Sequence, residues 1–334
     1  MIKLLFLLLL VSCTTSTYIN YDEYVHADQV NYIRNPIFTK RLHTTLPGEH
    51  HEYVQIGTFL PQNINSFENR TALHSIYALN MCLTNFDQIA FLEVISHERI
   101  PLVVISHRDI LFPFETIHLE NFAKSLGIFN TQVFVKLFPY ARSHNYNPSE
   151  YVEFFQLARN IFREYAPNSI FVWNISENDV LDSHEFFPGL DYVDWVGITQ
   201  KAYLTEQRTH REGLKERFSF FYHNYFSLPI MVTFGVSHFS VFNHSYHVDE
   251  AANFLKDYYS FLLNFPRVRA IIYSESNANY LNDNFSIMQS EIVLTAYNEI
   301  ISDERIANEI FHDLGGKEVS VKVRTPYYEI SQKN

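Results

Sequence analysis

Glycine and cysteine are both scarce, at nine and two residues in a chain of 334. No Gly-x-Gly-x-x-Gly follows the first strand-like run, which removes the turn that a dinucleotide-binding sheet uses to approach a pyrophosphate. Once an N-terminal leader is set aside only Cys82 remains, so neither an internal disulfide nor a cysteine-based zinc site can form, and a buried inert thiol is expected. Charge is thin as well: 19% of residues are charged, with 25 Lys and Arg against 37 Asp and Glu, a net charge of -12. No basic stripe offsets that balance, which argues against nucleic acid or an anionic membrane surface as a partner. What the chain has in quantity is apolar and aromatic surface: 47% hydrophobic residues, including 30 Phe and 22 Tyr. Disorder is excluded on those numbers, and one large core is affordable at this length.

The N-terminal run "MIKLLFLLLLVSC" has a lysine followed by a short apolar stretch, Leu4 to Val11. It falls well short of the roughly 20 residues that a membrane-spanning helix needs and matches the apolar region of a secretory signal. Leu10-Val11-Ser12-Cys13 resembles a bacterial lipobox, in which Cys13 is lipidated and becomes the first mature residue. An ordinary signal peptide with a chance cysteine is the other reading. The protein is accordingly expected to be secreted or at the cell surface, attached to a membrane through lipid on Cys13.

The expected organisation is a signal peptide over 1–12, a tether and cap over 13–50, a barrel over 51–303, and a tail over 304–334. The tail's alternating "EVSVKVRTPYYEI" predicts an extra strand. Within 51–303, β-rich runs are predicted at 53–59, 88–94, 101–106, 132–138, 169–174, 194–199, 228–234 and 268–274. Amphipathic segments predict helices over 66–83, 115–126, 148–165, 210–227, 249–264 and 286–301. The helix from 148 has proline in its first turn after Asn147. Apolar strands alternating with helices indicate a parallel sheet covered on both faces, and eight strands in about 250 residues indicate a (β/α)8 TIM barrel.

Such barrels carry their chemistry at the C-terminal ends of the strands. Those predicted ends hold Thr58 and Phe59; Glu93; Ser106 with His107, Arg108 and Asp109; Tyr140 with Arg142 and His144; and Trp173, Asn174 and Glu177. The last three hold Thr199 and Gln200, Thr233 with Ser237 and His238, and Ser274, Glu275 and Asn277. Aromatic faces beside dense hydrogen-bonding groups suit a sugar, whose ring stacks while its hydroxyls pair. No cofactor is expected. The histidines lack a short ligand spacing, so hydrogen bonding is the expected role for His107, His144 and His238, and no metal is expected.

Residues 147–203 carry Phe187-Pro188-Gly189 and Tyr192-Val193-Asp194-Trp195-Val196-Gly197 after a "VW" strand, and this stretch resembles glycoside hydrolase family 26, the β-mannanase-like barrels. The resemblance extends over roughly residues 50–303, with "IPLVVISHRD" and "LPIMVTFGVS" in the places of the third and seventh strands. It implies a retaining hydrolase fold with two glutamates whose carboxyls lie about 5–5.5 Å apart. The family's acid stands in an Arg-x-x-His-Glu-Met-Asn type run and its nucleophile in a Glu-Phe-Gly type run. Matched to these, Lys136 takes the arginine, Pro139 the histidine, Tyr140 the acid and Thr233 the nucleophile. Both glutamates are missing from their places. A phenol near pKa 10 is a poor general acid at neutral pH, and threonine cannot form the glycosyl ester.

Three readings follow. The first is a catalytically degenerate barrel that binds a β-linked carbohydrate with His107, Arg108, Tyr140, Arg142, His144, Trp173, Tyr203 and His238. The second is an active glycan hydrolase with displaced carboxylates drawn from Glu275, Glu177 and Asp109, each of which reads equally as a loop charge or a salt-bridge partner. The third is a structural partner in an envelope or exopolysaccharide assembly. Trp173 is a barrel floor or a sugar platform, and Trp195 is expected to pack under the helices with Asp194 pairing locally.

Overall fold

The computed structural model describes residues 53–61, 63–106, 116–129, 131–139, 146–203, 209–225, 228–240, 245–275, 277–278, 283–307, 310–313 and 318–321. Eight parallel strands close on themselves: β1 (Gln55–Phe59), β2 (Ile76–Met81), β3 (Ile100–Ile105), β4 (Val133–Leu137), β5 (Ser169–Ser176), β6 (Trp195–Ala202), β7 (Ile230–Val236) and β8 (Val268–Tyr273). Their order around the barrel follows the chain, and β8 pairs with β1 to complete the ring. The helices that follow strands are α1 (Ile64–Glu68), α2 (Gln88–Ser96), α3 (Thr116–Gly127), α4 (Pro148–Tyr165), α5 (Thr209–Asn224), α6 (Val248–Leu262) and, after β8, α7 (Glu291–Ile301). Two 3₁₀ turns, Glu177–Asp179 and Ser183–Phe186, stand between β5 and β6 in place of a long helix. The fold is the (β/α)8 barrel that the strand count predicts.

The helix starts follow their capping chemistry. Asn147 accepts from the Ser149 amide ahead of Pro148 in α4, Asp87 accepts from Ala90 at the head of α2, and Ser290 accepts from Val293 in α7. Each satisfies one of the orphan donors of a first turn.

One predicted pair of elements is exchanged. The run at 88–94, expected as a strand, is helix α2, and the end of the segment expected as a helix over 66–83 is strand β2. "IYALNM" has the burial of a barrel strand, whereas Asp87 caps "QIAFLEV" into a helix that leaves Ile89 exposed. Glu93 therefore lies on a helix and not at a strand end. Cys82 follows β2 in a turn and is half-buried, against the expected buried thiol.

Alternation along the strands divides the core in two. The smaller part fills the barrel with Ile76, Ala78, Ile100, Leu102, Val104, Phe134, Ile170, Val172, Trp195, Met231, Ala270 and Ile272. The larger part lies between strands and helices and includes Tyr77, Val135, Phe171, Trp173, Val196 and Phe234. Trp195 thus sits inside the barrel, edge-on to Phe134 at 5.1 Å, and not under the helices. It opens β6, so it forms the floor. Asp194 does pair locally: its carboxylate meets Arg159 of α4 at 2.8 Å and accepts the Phe171 amide at 2.8 Å, tying α4 to β5 and β6. In the tail, Ile310–Asp313 pairs antiparallel with Glu318–Val321.

Candidate functional site

Following the inward-facing alternation upward from the floor, the apolar residues stop and polar ones begin. On β4 the step is Phe134 to Lys136; on β5 it is Val172 to Asn174; on β7 it is Met231 to Thr233. On β6 Thr199 stands two pleats above Trp195. These four polar side chains are buried, Lys136 only 3% exposed. Asn80 of β2, on the same face as Ala78, is exposed, so solvent reaches the barrel mouth on that side.

The groups pair with one another. Lys136 Nζ donates to Thr233 Oγ1 at 2.7 Å. In the closed order β5 and β6 lie between β4 and β7, so this bond crosses the barrel interior. Asn174 Nδ2 donates to Thr199 Oγ1 at 3.0 Å and to the Ile175 carbonyl at 3.1 Å. The approach of β5 and β6 here depends on Gly197: a Cβ at that position would stand 2.6 Å from Asn174 Oδ1. Burial lowers the Lys136 amine to about 7, since an ammonium loses its hydration there. No described carboxylate offsets it.

The strand end on β4 is shaped by backbone strain. Phe138 has φ 41°, in the left-handed region that side chains with a Cβ avoid. Its ring stacks on Phe154 at 5.0 Å and on Tyr146 at 6.2 Å. That packing holds the turn which leads through Pro139 towards the loop before α4.

Of the three displaced carboxylate candidates, two are described. Glu177 is buried in the first 3₁₀ turn and accepts the Lys201 amide at 2.9 Å, which ties the β5 turn to β6. Burial pushes it up to about 7. Glu275, beyond β8, accepts from Ser286 Oγ and from the Ile287 amide at 3.0 Å; burial raises it too. Both carboxylates accept from backbone amides. Asp109 lies outside the described residues.

The aromatic and imidazole candidates separate similarly. Trp173 is 1% exposed and faces away from the interior, edge-on to Phe187 and Tyr225 at 5.1 and 5.2 Å. It is neither barrel floor nor sugar platform, because odd-numbered positions of β5 point to the helix layer. Tyr203, just beyond β6, is half-buried and meets Phe285 edge-on at 5.6 Å. His238, just beyond β7, is buried and its ring stacks near Tyr246 at 6.0 Å; burial lowers its pKa. Tyr140, His107, Arg108, Arg142, His144 and Cys13 lie outside the described residues. Among the described residues, no three of His, Cys, Asp and Glu converge as a metal site.

No family model and no curated protein matches the chain. Solved structures do. The catalytic domain of an endo-β-1,4-mannanase of glycoside hydrolase family 26 from Bacillus sp. JAMB-750 superposes with a TM-score of 0.57 at 12% identity, over 77% of this chain and 87% of that one. A family 26 β-mannanase from Bacteroides ovatus gives 0.57 at 8% identity, over 77% and 90%. A Cellulomonas fimi endo-β-1,4-mannanase double mutant gives 0.57 at 12% identity, over 81% and 75%. At such identities the likeness is one of fold: the chain is a (β/α)8 barrel similar in architecture to the family 26 mannanases.

Proposed function

We propose that this protein binds a β-linked carbohydrate at the mouth of its barrel and does not cleave it by the two-glutamate mechanism of family 26. The observation that carries this reading is the bond between Lys136 and Thr233. Where the resemblance expects a nucleophilic carboxylate, a threonine hydroxyl accepts from a buried amine, and neither group can form a glycosyl ester. The polar layer of Lys136, Asn174, Thr199 and Thr233 supplies the hydrogen-bonding base of a sugar site above an apolar floor, and Asn80 marks the side open to solvent. The protein acts outside the cytoplasm, held to a membrane by lipid on Cys13; mass spectrometry of the mature N-terminus tests that, and an unmodified residue beyond 13 opposes it.

The test of function is a glycan-binding screen run beside a hydrolysis assay on the same preparation. Retention of β-linked oligosaccharides without shortening supports the reading. Hydrolysis by the unmodified protein refutes it. One observation favours a second reading, an enzyme with a displaced acid: buried Glu177, raised to about 7, lies in the range of a general acid at neutral pH. That reading requires Glu177→Gln to abolish a measured hydrolysis.

A further inference from the structure

Lys136 is a charge-bearing group in a place that does not need one. Its neighbours along the inward face of β4 and on the flanking strands are Phe134, Val104 and Val172, and all three belong to the barrel's apolar filling. Its hydrogen-bond partner is a neutral hydroxyl, Thr233. No described carboxylate lies within ion-pair reach, although the chain carries twelve more acidic than basic residues. An amine buried like this is destabilised by lost hydration unless an anion completes it. The bond across the interior puts the ammonium at the base of the mouth, beneath any molecule seated there.

We propose that the anion is supplied by the ligand: the sugar ring bound deepest in the mouth carries a carboxylate, which pairs with Lys136. This rests on the carbohydrate-binding reading above and narrows it to acidic glycans, of which β-linked uronates are the simplest class. Lysine suits the task as a compact point charge with three donors, so that one N–H can remain on Thr233 while others meet the ligand. The chain's overall negative charge is screened beyond about 8 Å at physiological ionic strength and does not oppose a pair in direct contact.

The pairing has a pH signature of defined sign. Sugar carboxylates are ionised above about pH 4, while the free site's amine gains its proton below about 7. Acidic ligands therefore bind best between those limits and weaken as pH rises above the upper one. The lowering at Lys136 comes from burial alone. By strand alternation the other titratable side chain on the inward faces of the described strands is Lys201, two residues beyond Thr199 at the mouth end of β6. Glu177 and Glu275, at the strand ends, are held by backbone amides.

Calorimetric titration of the full chain compares matched pairs of the same linkage: β-1,4-mannotetraose with tetrameric β-1,4-mannuronate, and cellotetraose with tetrameric β-1,4-glucuronate. The expected result is at least about tenfold tighter binding of one acidic member at pH 6, with the preference falling by up to about tenfold per pH unit above 7. Lys136→Met should erase the preference while leaving the melting temperature equal or higher. Lys136→Gln serves the same purpose should the Met variant fail to fold, and the pH series on the unmodified protein needs no variant. Equal or better binding of the neutral members, or an acid preference that survives loss of the amine, overturns the inference and leaves the carbohydrate-binding reading standing. No binding by any of the four, or by any glycan in the screen, overturns both.

Discussion

At the floor of the barrel, Trp195 meets Phe134 edge to face among Ile76, Ile100 and Ile170, a dry layer packed like any protein interior. One or two pleats further along the same strands, Lys136, Asn174, Thr199 and Thr233 face the same interior, equally buried but joined by hydrogen bonds. Both layers are built on identical backbone. The floor is what stability alone asks for. The polar layer is joined by hydrogen bonds but leaves the Lys136 ammonium without a counter-charge among the described residues, and replacing such groups by apolar ones is often neutral or stabilising. That contrast is what the proposed sugar site at the mouth rests on.

The comparison breaks most visibly at the floor. Trp195→Ala should cost about 3–5 kcal/mol in denaturant unfolding, and Trp173→Ala a similar amount, since both indoles are fully buried. Neither loss should depend on a ligand. If Trp173→Ala folded normally and lost only glycan binding, the outward placement of that residue would be contradicted.

The two ends of the barrel also carry pH responses of the same sign in different windows. His74, just before β2, is buried, with Nδ1 2.8 Å from the Ala72 carbonyl and Nε2 2.8 Å from the Tyr297 hydroxyl; burial lowers it to about 4. The unfolded chain takes up a proton near the ordinary histidine value and the folded chain does not. Stability from this residue is therefore full above about pH 6.5 and is lost as pH falls towards 4, by about 3 kcal/mol in all. Lys136 responds in the same direction at higher pH. Its folded value lies below its unfolded one, so the folded state gains stability as pH rises from about 7 towards the ordinary lysine range. Lys136→Met should stabilise the protein by about 1–4 kcal/mol at pH 7 and by much less at pH 10. Melting curves across pH check both residues, and a destabilised Met variant at pH 7 would contradict the contrast between floor and mouth.

Smaller effects sharpen the boundary between the layers. Gly197→Ala drives a methyl against Asn174 Oδ1 and Val172 and should cost about 1–3 kcal/mol. Thr233→Val removes the acceptor of the Lys136 bond and should cost about 1–2 kcal/mol near neutral pH, less in alkali where the amine is neutral.

The strand count, the helix from Pro148 and the positions of β3 and β7 were legible in the sequence because period and caps agreed there. The exchange of β2 and α2 shows where that agreement fails. "QIAFLEV" and "IYALNM" are both short apolar runs, and a period cannot separate them. The Asp87 cap could have. The mouth was legible as a set of strand ends but not as a set of directions. The sequence alone leads to Trp173 inside the barrel and Trp195 under the helices, and alternation puts each on the opposite side. Lys136 was visible as a lone lysine in "VFVKLF", two residues from Phe134, and alternation with that inward phenylalanine would have marked it as facing the interior. Its bond to Thr233, 97 residues away, belongs to the closed barrel and to no local pattern.

The account stands most directly on whether a glycan held at the mouth stays whole. The protein is incubated with β-1,4-linked hexasaccharides, neutral and uronic, the protein-bound fraction is separated, and the chain length of the bound and free sugars is read by mass spectrometry. The account predicts a bound hexasaccharide that remains six units long after prolonged incubation. Shortened products from the unmodified protein, at a rate that scales with its concentration, would contradict it.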